Sequence, residues 1–287
     1  MGFANVGALV DAHLDGRSWY ATWRKSPSQI SSAGVWFDLS MSPGNPVPQY
    51  YAASPLVAKA LAYSTDGGIW HGANVAPSTK HLSRMTAFTV TATALPMPMM
   101  LLDYLLFYPF IDEGSTDPQP LDNTTPIPRY PTGAGVQMMA VSVAGRTGGQ
   151  TFRVEYTNSE GVTGRLSQVV KQTTAAANGN LVTTDRAVVN CHGPFIPLQA
   201  GDTGVRSIDS VQMISGVDVG LFSLVLVKPL AQLQIRGIDA PVEADYFTHF
   251  GQLPVIVDDA YLNLICCPQG TLAASAIHGD ITTVWSI

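Results

Sequence analysis

Four carboxylates, Asp112, Glu113, Asp117 and Asp122, fall with Asn123 in one short proline-rich stretch, and they are the densest group of chemistry-bearing side chains in the chain. Carboxylates at such spacing could bind a hard cation such as calcium, or supply the two carboxyl groups that glycoside hydrolysis needs. The EF-hand pattern fails, because a loop starting at Asp112 has Asp117 rather than glycine at its sixth position. Solvated carboxylates that cap Asx turns are the plainer reading of the same residues. His71 and His81 invite a metal, but no further ligand stands at a recognisable spacing such as HExxH, so no metal is expected. Cys191 and His192 are neighbours, and adjacent strand residues point to opposite faces, so they do not form a nucleophile and base. The sequence has no GxSxG elbow, no phosphate-binding GxxxxGK[ST] and no dinucleotide GxGxxG after a strand. Neither an enzyme nor a cofactor is expected.

The elements that position these residues read as β. The chain has 287 residues, 46% of them hydrophobic and only 13% charged, with 26 Gly and 20 Pro. That is the turn-rich composition of all-β proteins. So little charge on a chain of this size also suggests a surface covered by neighbours. The net charge of −6, with no run of Lys or Arg, argues against a nucleic-acid partner. Three cysteines, Cys191 and the vicinal pair Cys266 and Cys267, are not a disulfide framework. With no signal pattern over Met1 to Val10, the chain is expected to be made in a reducing cytoplasm and not secreted.

The most apolar run, Leu95 to Ile111, is shorter than the roughly 20 residues of a membrane span and contains Asp103, so no membrane is expected. Within it, the stretch 98–109 is buried and is either a short helix or a strand. Prolines at both ends favour the helix, because Pro fits a first helical turn and disfavours helical geometry just before it. From Asp112 to Tyr130 the chain turns abruptly polar, which predicts a long, stiff, exposed loop.

Before this stretch, Val6, Leu9, Val10 and Leu14 predict a short N-terminal helix. Trp19 and Trp23 follow, and we read residues 1–33 as an arm whose tryptophans anchor on a neighbouring subunit, although such aromatics also fold back on their own core. Residues 34–287 form a β-rich body, divisible at 34–93 and 94–287. Strands are predicted over 34–40, 86–93 (with Phe88 and Val90 on its apolar side), 136–143 and 151–158 (with Phe152, Val154 and Tyr156 on one face), and 57–64 is an apolar, alanine-rich run. Further strands are expected over 166–174, 181–184, 187–189, 205–214, 221–227, 254–257, 260–267 and 281–285. The turn GRTGGQ, residues 145–150, predicts a hairpin between two of them. Regular strands and turns make the expected fold an antiparallel β-sandwich or barrel, jelly-roll-like.

The segments LLDYLLFYPFID, PIPRYPTGAGVQMMAVS, VEYTNSEGVTGR, HGPFIPLQAGDTGVRSIDS and LVLVKPLA, in this order, resemble a family of tailed-bacteriophage virion structural proteins. GGIWHGANVAPSTKHL fits the same pattern, which runs from about Ala33 to the C-terminus, while DDAYLN near Asp258 departs from it. The resemblance implies a capsid decoration or cement protein that clamps major capsid protein subunits on the outer shell. It implies assembly in the host cytoplasm and a homo-oligomer, most simply a trimer on a local three-fold axis. A tail or neck component is the nearer alternative. A β-sandwich carbohydrate-active enzyme using the loop carboxylates is the more distant one.

Overall fold

The computed structural model describes residues 3–183, 193–215, 219–249, 251 and 253–287. Nine strands of five residues or more carry the architecture of this part. They are β1 (Ser18–Lys25), β2 (Lys80–Thr89), β3 (Met97–Asp112), β4 (Gln137–Ser142), β5 (Thr151–Asn158), β6 (Val205–Ser215), β7 (Leu221–Ile235), β8 (Leu262–Cys266) and β9 (Ile277–Trp285). With shorter strands they build three antiparallel sheets and no closed barrel, consistent with a β-sandwich. The central sheet runs β8-β3-β7-β4, with Phe37–Asp38 outside β8. A first outer sheet joins β2, β9 and β1, and a second joins β5 and β6.

The two long central strands, β3 and β7, hold the molecule together because they serve both outer sheets. Met97, Met99 and Leu101 of β3 and Leu233 and Ile235 of β7 pack with Trp23, Leu82, Met85, Ile277 and Ile281 of the first outer sheet. Tyr108 and Ile111 of β3 and Phe222, Leu224 and Leu226 of β7 instead pack with Phe152, Val154, Tyr156, Ile208 and Val211 of the second. The alternate side chains Leu102, Tyr104, Phe107, Val225 and Val227 form a third core with Tyr51, Leu61 and Tyr261. Both faces of β3 are therefore buried, and its sequence is a near-continuous apolar run rather than an alternation.

The stretch 98–109 is a strand, which corrects the preference for a helix. β3 is paired on both sides, with β7 from Met97↔Ile235 to Asp112↔Leu221 and with β8 from Met99↔Cys266 to Asp103↔Leu262. Its prolines are tolerated because they fall where the ladder is irregular or need only accept. Pro109 lies at a register shift, followed by Phe110 at φ 60°, and its carbonyl accepts from Leu56 N. The Pro98 carbonyl accepts from Cys267 N.

Three buried polar groups are pinned around this central sheet. Asp103 is held bidentately by Arg129, with Nη2 to Oδ1 at 2.7 Å and Nε to Oδ2 at 3.0 Å, and Tyr261 N also donates to it. Burial pushes Asp103 up to about 6, opposed by Arg129. Asp38, buried and also raised by burial, accepts from Ser40 N, Tyr104 Oη and Tyr51 Oη. Lys25 donates to the carbonyls of Ser42 and Pro46 and is lowered to about 8 by burial, offset by Asp38.

Several expectations need correction. Residues 18–25 are no arm: β1 pairs along its whole length with β9, from Ser18↔Val284 to Lys25↔Ile277. A terminal segment that alternates Ala21, Trp23 and Lys25 inward completes the first outer sheet instead of leaving it. Helix α1 (Val6–Leu14), expected from its spacing, docks on the same sheet through Leu9 and Ala12 against Val284. The predicted hairpin across residues 145–150 is absent, because β4 pairs with β7 while β5 pairs with β6. β2 begins at Lys80, and its buried apolar side chains are Leu82, Met85 and Ala87; Phe88 is half-buried and stacks on His278 at 5.2 Å. β7 continues through Pro229 rather than stopping there. The strand predicted over 34–40 shrinks to Phe37–Asp38, and the apolar run 57–64 contributes the two-residue strand Lys59–Ala60. The strand predicted over 187–189, the end of the one over 181–184, and Cys191 with His192 lie outside the described residues.

Candidate functional site

The acidic loop does not gather its carboxylates. Asp112, Asp117 and Asp122 are exposed, and two of them cap turns: Asp112 Oδ1 accepts from Gly114 N and Asp122 Oδ1 from Thr124 N, each at 2.8 Å. Glu113 turns inward and is fully buried, with Oε1 3.0 Å from Arg146 Nε. Gly220 lets this pair sit against the backbone, since a Cβ there would lie 2.7 Å from Arg146 Cβ. Arg146 also donates to Gln172 Oε1. Glu113 thus departs from the expectation of an exposed loop, and the loop itself is tied down. Gln119 exchanges two hydrogen bonds with the Asp112 backbone, and Asp122 bridges to residues 56–58.

Trp23 is buried and Trp19 is half-buried, and both pack against their own chain. Trp23 is 2% exposed, in the core under the first outer sheet. Trp19 stacks on Trp285 with ring centroids 4.1 Å apart and has Trp70 at 6.1 Å. It presses on Gly72, where a Cβ would fall 1.7 Å from the indole, so the glycine of the GGIWHG segment is required by close approach.

Beside these tryptophans lies a cluster that the sequence reading missed. Lys80, the first residue of β2, has its ammonium nitrogen 5.6 Å from the Trp19 ring centroid, 3.0 Å from His71 Nδ1 and 3.3 Å from Asp258 Oδ1. His71 is 1% exposed, and its Nε2 lies 3.0 Å from the Ala260 carbonyl. A carbonyl can only accept, so the ring proton sits on Nε2 and the Nδ1 lone pair faces Lys80. Burial, reinforced by the charge of Lys80, pushes His71 down to about 4, so the imidazole is neutral at pH 7. Burial also lowers Lys80, opposed by Asp258. Asp258, in turn, accepts from the backbone N–H groups of Val75 and Ala76. His81 is elsewhere: it faces the Leu253 carbonyl and the Phe3 ring, as expected for the residue after Lys80 on a strand.

Strand parity could have shown that Lys80 and His81 point to opposite faces, but not which of them meets His71. Nothing local pointed to Asp258, which comes from the turn before β8. The arrangement can hold a charge under an aromatic cover and can pass a proton between Lys80 and His71. Among the described residues no group of three or more His, Cys, Asp or Glu side chains could hold a metal ion, and no helix is long and apolar enough to cross a membrane.

The outward face of the N-terminal segment has a different character. Val6, Val10 and Leu14 follow an i, i+4, i+8 spacing on α1 and are 54%, 50% and 80% exposed. Tyr20 on β1 is 56% exposed.

No family model matches this chain, and no curated protein matches it. Among solved structures, one titled "Structure of infectious bursal disease virus Gt strain" aligns over 94% of this chain and 80% of that chain, at 13% identity and a TM-score of 0.19. A likeness that small carries no argument about fold or function.

Proposed function

We propose that the chain is a structural component of a tailed-phage virion: a capsid decoration or cement subunit that clamps major capsid protein subunits on the outer shell and associates with itself. The observation that carries this reading is the apolar stripe of Val6, Val10 and Leu14, displayed to solvent on a helix whose other face is already docked. Apolar side chains aligned on one exposed face suit a surface that is covered in an assembly. The contact is thereby moved from Trp19 and Trp23, which the fold consumes, to the outer side of the same N-terminal segment. The sparse charge and the resemblance in sequence support the same reading. The carbohydrate-active alternative needs two carboxyl groups facing each other across a cleft. Of the four loop acids, Glu113 is held inside by Arg146 while the other three lie on the surface.

An antibody against the purified chain, applied to intact particles and viewed by electron microscopy, is expected to label the head shell. Replacing Val6, Val10 and Leu14 together by Ser should leave the chain folded and abolish its binding to undecorated shells. Label confined to the tail or neck would replace decoration by the ring-component reading. Absence from washed particles would overturn both.

A further inference from the structure

The groups around Lys80 are those of an amide-forming reaction. We propose that Lys80 and Asp258 are a modification site at which the folded chain joins its own side chains, condensing them to an intramolecular isopeptide bond. This inference does not rest on the virion reading.

Each part of the reaction has a residue in place. The nucleophile is Lys80 Nζ, on a side chain with no solvent exposure, 3.3 Å from Asp258 Oδ1. An amine attacks only when neutral, and burial favours that form. The proton acceptor is His71 Nδ1 at 3.0 Å, whose lone pair is fixed on Lys80 because the opposite ring nitrogen donates to the Ala260 carbonyl. The oxyanion donors are the backbone N–H groups of Val75 and Ala76, 3.1 and 3.2 Å from Asp258 Oδ2. They face the oxygen on which negative charge grows as Nζ adds to Cγ.

The step balances without any oxidant, reductant or third reactant. The Nζ–Cγ bond forms and the Cγ–Oδ1 bond breaks. Of the three protons on the Lys80 ammonium, one stays on the amide nitrogen. The other two leave with Oδ1 as water, one passing directly and one by way of His71. Asp258 is 24% exposed, which gives that water an exit, while Trp19 and the Tyr63 ring against His71 cover the lysine side. Holding amine and carboxyl in contact replaces a bimolecular encounter, an advantage equivalent to roughly 10⁵–10⁸ M. The product would tie the start of β2 to the turn before β8.

Intact-mass spectrometry of the purified full-length chain tests this directly. The wild type is expected to weigh one water less than its sequence, and a peptide map should recover the segments containing Lys80 and Asp258 joined. Lys80→Arg and Asp258→Ala should each restore the full mass. His71→Gln, which keeps both partners, should slow the loss on the order of a hundredfold. A wild-type chain that keeps its full mass after prolonged warm incubation overturns the proposal. So does a water loss that persists in Lys80→Arg, as ring closure at another aspartate would. If the variants fail to fold, the wild-type mass and peptide map decide the matter alone.

Discussion

Glu113 with Arg146, and Lys80 with His71 and Asp258, are two uses of one device: a charge taken out of water to hold a connecting segment against a sheet. At the first, both side chains are fully buried and the cation is an arginine, which does not give up its proton in a protein. Its charge is fixed, and the pair can only position the start of the acidic loop. At the second, the cation is a lysine, its neighbour is a neutral imidazole, and the carboxylate reaches the surface. Protons can move there. Burial alone does not separate a structural pin from a reactive site; the identity of the cation does.

The comparison would break most visibly at the arginine. Arg146→Met removes the arginine charge from beside the buried Glu113, and stability should fall by about 3–5 kcal/mol, read from the urea midpoint. A loss under about 1 kcal/mol would mean that water reaches Glu113 and that the pin is a surface pair.

A somewhat smaller effect, visible only against pH, is expected at His71. Its folded pKa of about 4 lies below the ordinary histidine value, so the unfolded chain binds more protons between the two. The contribution of the neutral ring is fully present above about pH 6.5 and is lost as pH falls towards 4, by on the order of 3 kcal/mol. Thermal unfolding across that window should show a steeper acid loss in the wild type than in His71→Gln. Parallel curves would show that the ring is hydrated.

The smallest effect is expected where the sequence first drew attention. Replacing Asp112, Asp117 and Asp122 by Asn should change stability by no more than about 0.5 kcal/mol each, because Asn can still accept the turn hydrogen bonds at Asp112 and Asp122. Addition of calcium or of a chelator should leave the melting temperature unchanged. A calcium-dependent rise would make the loop a binding site by mass action and would reverse the ranking of the two regions.

The β class, the helix over Val6 to Leu14 and the inward face of β5 with Phe152, Val154 and Tyr156 were legible in the sequence, because these depend on local periodicity and turn residues. The sequence also picked out His71, though it compared it with His81 rather than with Lys80. Only the tertiary structure decided that 97–112 is a strand, since leucine and methionine accept either geometry and the choice came from β7 and β8 on its two sides. Only the tertiary structure turned Glu113 inward while Asp112 stayed out, and only it brought Asp258 to Lys80. Such choices are settled by partners far away in the chain, and no spacing within a segment encodes which distant segment will arrive.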